Sequence, residues 1–393
     1  MRILYVTLEN LSLHKGSVVH VKEIVTGLKD LGHQVGLVAS AWGKTNEADH
    51  FYNLHRLPNF LMRLLKLKRQ PNAISALFLF LYLFKILLQY DLVYARDYHA
   101  TILATIPRHI FRKKLIYEIN GLAHEEQLLK KDSWSNRLLS SFIRNAEKRA
   151  AKYADRIVSV TPQIAQYLVQ HFSCQASKIE IISNGVNTKK FYPIEDRNML
   201  LQIKTKYNIL CEGKIIIFVG NLAPWQGVEL LIQVAPLVVK EIPDLKFLII
   251  GNGMLRQEFE TEVNRLGLSS YFVFTGMIDY RQIPYYINVA DICVLPKRGL
   301  TSGYSPIKLY EYMACGKPIV ATRVQGLEFI EAEGSGRLIE PGDSVSLGVA
   351  LIELLKNDER RKMMGRKGSQ IARERFSWAS RAAKIEKMML ELA

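Results

Sequence analysis

The feature that most constrains this chain is a rhythm that runs through it twice: short runs rich in β-branched and aromatic residues alternate with amphipathic helical stretches. In the first pass Ile3–Leu8, Val35–Ala39, Leu92–Ala95, Leu115–Ile119, Arg156–Thr161 and Ile179–Ser183 read as strands, with helical patterns such as Val18–Leu31 and Asn136–Tyr153 between them. After the turn-rich Asn184-Gly185-Val186-Asn187 and Pro193, a polar helical stretch leads to Lys214–Gly220 and the alternation restarts. Leu245–Gly251, Phe272–Thr275, Ile292–Leu295, Pro318–Thr322 and Gly336–Ile339 form the second set, with helices such as Val228–Val239 and Met254–Leu266. Strands separated by helices pair in parallel through right-handed crossovers. The expected fold is therefore α/β, with two Rossmann-like, doubly wound parallel-sheet domains over 1–196 and 197–375. A length of 393 residues agrees, being more than one hydrophobic core sustains. No period of 20–50 residues recurs, which excludes a solenoid. Ligands of open α/β sheets bind beyond the carboxyl ends of the strands, so the cleft between two such domains is the expected site.

Charge narrows the function classes. Lys and Arg outnumber Asp and Glu by 53 to 37, a net charge of +16, and residues 1–200 hold 28 of those cations against 16 acids, or +12. A basic face serves nucleic acid, an anionic membrane or a phosphorylated substrate. No nucleic-acid motif accompanies the charge, so no nucleic acid is expected. Arg63-Leu64-Leu65-Lys66-Leu67-Lys68-Arg69 interleaves cations with leucines ahead of the apolar stretch Ala73 to Phe84. That stretch is too short to span a bilayer. It reads either as a helix lying in the headgroup region, giving residues 60–90 a peripheral contact with anionic membrane, or as a helix buried beneath a sheet. The four cysteines form no paired motif, and the N-terminus reads as a buried strand rather than a secretion signal. A cytoplasmic protein, peripheral on the membrane face, is the expectation.

The chemistry concentrates in Gly303-Tyr304-Ser305-Pro306-Ile307-Lys308-Leu309-Tyr310-Glu311-Tyr312-Met313-Ala314-Cys315-Gly316-Lys317-Pro318. Ser305 suits an N-cap, Pro306 the first helical position, and Gly316 with Pro318 a stop, which predicts a helix from Pro306 to about Cys315. A helix start offers unpaired N–H groups, here of Ser305, Pro306 and Ile307 less the proline's missing donor, to an anion. A cation in the first turn opposes the helix dipole unless an anion binds nearby, which marks Lys308 as a phosphate ligand. Glu311 lies on the same face, where its carboxylate can accept from both hydroxyls of a ribose. A solvated surface helix with an incidental Lys and Glu is the alternative. Lys15-Gly16-Ser17 falls between the first strand and its helix, where Gly16 permits close approach to phosphate and Ser17 adds a donor; an ordinary turn is the alternative.

The Gly303–Pro318 segment, followed by Ile319-Val320-Ala321-Thr322, resembles the donor-site helix of family 4 glycosyltransferases of the GT-B fold, in a subgroup with an S-P-x-K-x-x-E-Y-M-A pattern. Lys15-Gly16-Ser17 to His20, Gly32-His33, Ser183-Asn184-Gly185-Val186, Gly220 to Gly227, Ile249 to Gly253, Phe274-Thr275-Gly276 and Pro341-Gly342-Asp343 also match in order. The resemblance implies a retaining transferase that moves a sugar from a UDP- or GDP-sugar to an acceptor hydroxyl, without cofactor or catalytic metal, in polysaccharide or lipid-linked glycan biosynthesis. It also implies that residues 376–393 form a helix packed back on the first domain. By position, Glu311 corresponds to the second Glu of the family's E-x7-E motif, while Gly303 stands where the first is expected. Asn221 and Gln226 replace an Arg and a Lys that commonly neutralise the donor diphosphate, leaving Lys308, Lys297, Arg298 and backbone donors as candidates. Asn120 occupies the place of a His that contacts the reacting sugar, so the catalytic set is Asn120, Lys308 and Glu311. Gly220, Gly253 and Met277 join the donor set, and His20, His99 and Glu118 are acceptor-side candidates. Two further readings stay open: a catalytically silent subunit of the same fold, kept alive by Gly303, Asn221 and Gln226, and a sugar-nucleotide epimerase.

Overall fold

The computed structural model describes residues 1–11, 16–40, 54–56, 72–128, 133–297 and 305–392. The chain divides into two compact units, one of Met1–Asn184 with Trp378–Ala393, the other of Gly185–Ser377.

In the first unit the order is β1 (Arg2–Asn10), α1 (Gly16–Asp30), β2 (Gln34–Ser40), β3 (Leu54–Arg56), α2 (Asn72–Ile86), β4 (Leu92–Arg96), α3 (Asp97–Ile110), β5 (Lys114–Ile119), α4 (Ala123–Leu128), α5 (Trp134–Tyr153), β6 (Arg156–Ser159), α6 (Pro162–Phe172) and β7 (Ile179–Ile181). Among the described residues all seven strands are parallel, in the order β3-β2-β1-β4-β5-β6-β7. Parallel strands covered on both faces bury every side chain, which is why β4 is buried from Leu92 to Arg96. The strand read over Arg156–Thr161 stops at Ser159, because Thr161 turns to cap α6 by accepting from Ile164 N. In the apolar run Ala73–Phe84, now within α2, Leu79 and Leu83 enter the core beside Leu4, Val6 and Val93, while Leu77 and Leu81 face outward. The Arg63–Arg69 stretch lies outside the described residues. No helix among the described residues is long and apolar enough to cross a membrane.

The second unit holds α7 (Arg197–Lys206), β8 (Lys214–Val219), α8 (Val228–Glu241), β9 (Leu245–Ile250), α9 (Arg256–Arg265), β10 (Phe272–Gly276), α10 (Ile283–Asn288), β11 (Ile292–Leu295), α11 (Ile307–Ala314), β12 (Ile319–Thr322), α12 (Phe329–Ala332), β13 (Gly336–Ile339), α13 (Ser344–Leu355) and α14 (Asp358–Arg375). Its six parallel strands run β10-β9-β8-β11-β12-β13. The second unit begins at Gly185, and the segment ahead of α7 packs within it. Phe191 is buried against Tyr280, and Asn288 Oδ1 accepts from Ile194 N at 2.9 Å.

The C-terminal helix α15 (Trp378–Leu390) returns to the first unit and packs on α1. A Cβ on Gly27 would lie 2.6 Å from the Ala382 Cβ, so a glycine is needed for the helices to approach this closely. His33 Nε2 meets Glu386 Oε1 at 3.0 Å along the same seam.

Candidate functional site

Each sheet reverses its winding at one point, between β1 and β4 in the first unit and between β8 and β11 in the second. Loops diverge at such a switch point and leave a crevice beyond the strand ends, where ligands of this architecture bind.

At the second unit's switch point stands Lys308. It belongs to α11, which follows β11, yet its Nζ crosses to the turn after β8 and donates to Gln226 Oε1 at 2.9 Å. Beneath it lies the Phe218 ring, 4.3 Å from centroid to Nζ. A Cβ on Gly220 would sit 2.5 Å from Nζ, so the glycine makes room for the ammonium. Burial pushes the Lys308 ammonium down to about 7, against a smaller upward pull from the Glu311 carboxylate. A cation held at the edge of neutrality has unmet demand for an anion.

Three residues along α11, Glu311 is buried and its Oε1 accepts from Tyr280 OH at 2.7 Å. A carboxylate offers about four lone-pair positions, and the phenol fixes how this one is turned. Tyr312 OH accepts from Val219 N at 2.9 Å and ties the helix to the end of β8. Gly316 ends the helix region at φ +68.

The helix start differs from expectation. Regular helix begins at Ile307, Pro306 holds the cap position with extended backbone, and no side chain caps it. Ser305 Oγ instead shares a hydrogen bond with Tyr310 OH at 3.1 Å, which fixes the approach to the helix from the side. Gly303 and Arg298 lie outside the described residues, and Lys297 is buried. Asn221 is exposed beside Gly220. Gly253 packs where a Cβ would meet Leu222 O at 2.3 Å, and Met277, 60% exposed, follows the Gly251–Gly276 bridge.

Gly227 ends the Gln226 turn at φ +72, and a Cβ there would lie 1.6 Å from Pro296 O. Gly227→Ala is expected to destabilise the chain by about 3 kcal/mol and to displace Gln226, as read by urea unfolding. Unchanged unfolding would show that the turn adjusts freely.

The first unit's switch point is built around a buried carboxylate. Glu118, at the end of β5, is fully buried. Its Oε1 lies 2.6 Å from His20 Nε2 and 3.5 Å from Arg96 Nε, and it accepts from Asn120 Nδ2 at 2.6 Å. Tyr5 OH approaches Oε2 at 3.4 Å. The Arg96 contact is a charge contact rather than an aligned hydrogen bond. His20 Nδ1 meets Asn184 Oδ1 at 2.6 Å, and its ring stands edge-on to Trp378 of α15 at 5.2 Å. Arg96 reaches on to Glu9 at 3.2 Å. Burial alone would push the Glu118 carboxyl up; His20, Arg96 and Asn120 outweigh it and hold the group at about 2.

This cluster gathers Glu118, Asn120 and His20, but not His99, which is exposed beside Asp97. Gly16 and Ser17 open α1 itself rather than preceding it, and Ser17 Oγ is buried with no hydrogen-bond partner among the described residues. Lys15 is outside the described residues. Sequence reasoning missed Arg96, Tyr5 and Glu9 around Glu118, and Phe218 and Tyr280 around Lys308 and Glu311. An arginine ending the apolar run Leu92–Ala95 was the available signal, since a buried strand rarely spends a charge without a partner.

Residues 202–371 match the family described as Glycosyl transferases group 1, and residues 14–190 match Glycosyltransferase Family 4. An uncharacterised glycosyltransferase of Methanocaldococcus jannaschii is 30% identical over 63% of this chain and 62% of its own length. A GDP-mannose-dependent alpha-(1-6)-phosphatidylinositol monomannoside mannosyltransferase of Mycolicibacterium smegmatis is 26% identical over 63% of this chain and 65% of its own. The chain thus spans a little under two thirds of both relatives. Among solved structures, HepE of Anabaena in complex with UDP superposes with a TM-score of 0.78 at 19% identity, covering 100% of each chain.

Proposed function

The chain belongs to the family 4, group 1 glycosyltransferases with the GT-B fold, and on that premise we propose that it transfers a hexose from a UDP- or GDP-sugar to an acceptor hydroxyl with retention. The observation that carries the reading is Lys308 Nζ at the β8/β11 switch point, beside Gln226 and over Phe218. Departure of a nucleoside diphosphate develops negative charge, and a fixed cation in a partly dry site stabilises that charge more than water would. Gln226 stands where relatives commonly carry a lysine; here the cation reaches the same point from α11. Lys308 therefore neutralises the diphosphate, assisted by the backbone N–H groups at the start of α11, and Glu311, oriented by Tyr280, accepts from the ribose hydroxyls.

Gly220, Asn221 and Gly253 let the nucleotide approach the strand ends, with Met277 beside the base. In the first unit Asn120, positioned by Glu118, hydrogen-bonds a sugar hydroxyl, and Gly16 with Ser17 present the start of α1 to anionic oxygen. A departing diphosphate can deprotonate the acceptor on its own face, so the reaction demands positioning more than a protein base. The acceptor is a glycan or lipid-linked precursor on the cytoplasmic face of a membrane, in keeping with the basic first half of the chain.

Thermal unfolding with a panel of UDP-, GDP- and ADP-sugars tests the donor assignment. A true donor at about 100 times its Kd adds about 2.7 kcal/mol of stability and raises Tm by several degrees. A panel without any shift sinks the donor reading.

A further inference from the structure

The loop that carries Asn120 out of β5 is tied at both ends to buried carboxylates. At its start Asn120 Nδ2 donates to Glu118. At its end Ala123 N donates to Glu147 Oε1 at 2.7 Å, although Glu147 lies 24 residues on, in α5. The helix that opens at Ala123, α4, has six residues, and a helix shorter than about 12 residues is marginal by itself. Its place, and that of the loop leading into it, is therefore set by α5. Ser140 Oγ donates to His124 O at 2.8 Å and Gln127 Nε2 donates to Asn136 Oδ1 at 3.0 Å along the same seam.

Glu147 is 1% exposed, and its second oxygen, Oε2, meets His124 Nδ1 at 2.5 Å. An ionised carboxylate only accepts, so Nδ1 carries the proton. Nε2 of the neutral ring then accepts from Tyr167 OH at 3.0 Å, and Arg144 Nε donates to the same phenol oxygen at 3.2 Å. Donors and acceptors match at every step from Arg144 through Tyr167, His124 and Glu147 to the Ala123 amide. A buried polar network satisfied in this way has a single arrangement and is stiff.

We propose that His124 is a positioning residue for sugar recognition: it turns the Glu147 carboxylate to hold the Ala123 N–H, and so fixes the backbone of the loop on which Asn120 stands. His124 is itself buried and acts through Asn120. The inference rests on the reading of Asn120 as a contact to the donated sugar.

Calorimetry of the full chain with UDP-glucose against UDP, and with GDP-mannose against GDP, tests it without an acceptor. Asn120 meets the sugar alone, so its effect is the difference within a pair. Asn120→Ala weakens the nucleotide sugar about tenfold and leaves the free nucleotide unchanged. His124→Phe does the same in the wild type and adds nothing to Asn120→Ala, as expected of two residues acting through one contact. His124→Asn, whose amide donates from the place of Nδ1, stays within about twofold of the wild type. If circular-dichroism melting shows His124→Phe to be unfolded, Tyr167→Phe takes its place, removing one oxygen from a partly buried side chain at an expected cost of about threefold. Failure of both nucleotide sugars to bind, or an Asn120→Ala chain that binds them as the wild type does, overturns the underlying reading and the proposal with it. Where Asn120→Ala does lose affinity, the proposal alone is overturned if His124→Phe binds as the wild type does, weakens sugar and nucleotide alike, or adds in full to Asn120→Ala.

Discussion

Lys308→Met lowers kcat/KM for the nucleotide sugar by about 10²–10³ while leaving thermal unfolding intact, and adding Gln226→Lys to the same chain restores most of the lost activity. Both expectations come from one distance. With Nζ 2.9 Å from Gln226 Oε1, a lysine at 226 delivers its charge to the point that Lys308 reaches from α11. A double variant as inactive as the single one would show that the helix, and not the charge at that point, is what the reaction needs. The same site predicts a pH dependence whose sign can be worked out. Burial over Phe218 holds free Lys308 at about 7, Glu311 being the charged neighbour that pulls the other way and Gln226 the neutral one. A diphosphate esterified at both ends stays dianionic through neutrality, so its arrival raises the ammonium pKa and binding takes up a proton. Below pH 7 Lys308 is already charged and donor affinity is flat. Above pH 7 a proton accompanies each donor, and affinity falls by up to about tenfold per pH unit. Calorimetry at pH 8 in buffers of different ionisation enthalpy reads about one proton taken up per donor. Lys308→Met removes both the slope and the uptake; a slope that survives the substitution would assign the proton elsewhere.

The two sheets were legible because parallel strands covered on both faces leave long apolar runs, and because helices punctuate them. Strand β3 was not, since three residues carry too little pattern to separate from a loop. Element ends are ambiguous in the sequence where a polar residue has two uses: Thr161 caps a helix instead of extending β6, and Ser305 bonds Tyr310 instead of capping α11. The donor helix announced Lys308 and Glu311 through local spacing. Their partners could not be read, because Gln226 is 82 residues from Lys308, brought to it by the crossovers that set β8 beside β11, and Tyr280 is 31 residues from Glu311. Glu118 was legible as a strand-end acid, and its surroundings were not. A carboxylate whose partners come from β1, α1 and β4 leaves no periodic trace in any of them.

That buried carboxylate carries the second large effect. Glu118→Ala destabilises the first unit by about 3–5 kcal/mol, because it strands Arg96 and His20 in the interior without the charge they face. Glu118→Gln keeps the shape and the Asn120 contact but loses the charge, and falls between the two. Acid sensitivity identifies the cause. The folded carboxyl sits at about 2 and the ordinary value is 4.5, so its ionised form contributes stability that is complete above about 4.5 and drains away as pH falls toward 2. The difference corresponds to about 3 kcal/mol, of the same order as the cost of stranding its partners. Urea unfolding at pH 7 and at pH 3 should therefore show the gap between wild type and Glu118→Gln shrinking in acid. A gap as wide at pH 3 as at pH 7 would mean that packing, not charge, gives Glu118 its weight. If the gap does close, Asn120 has a defined reason to stand still. Its Nδ2 is held at 2.6 Å by an anion that stays ionised throughout the neutral range, and the loss of that anion should appear as a raised KM for the sugar substrates before the fold gives way.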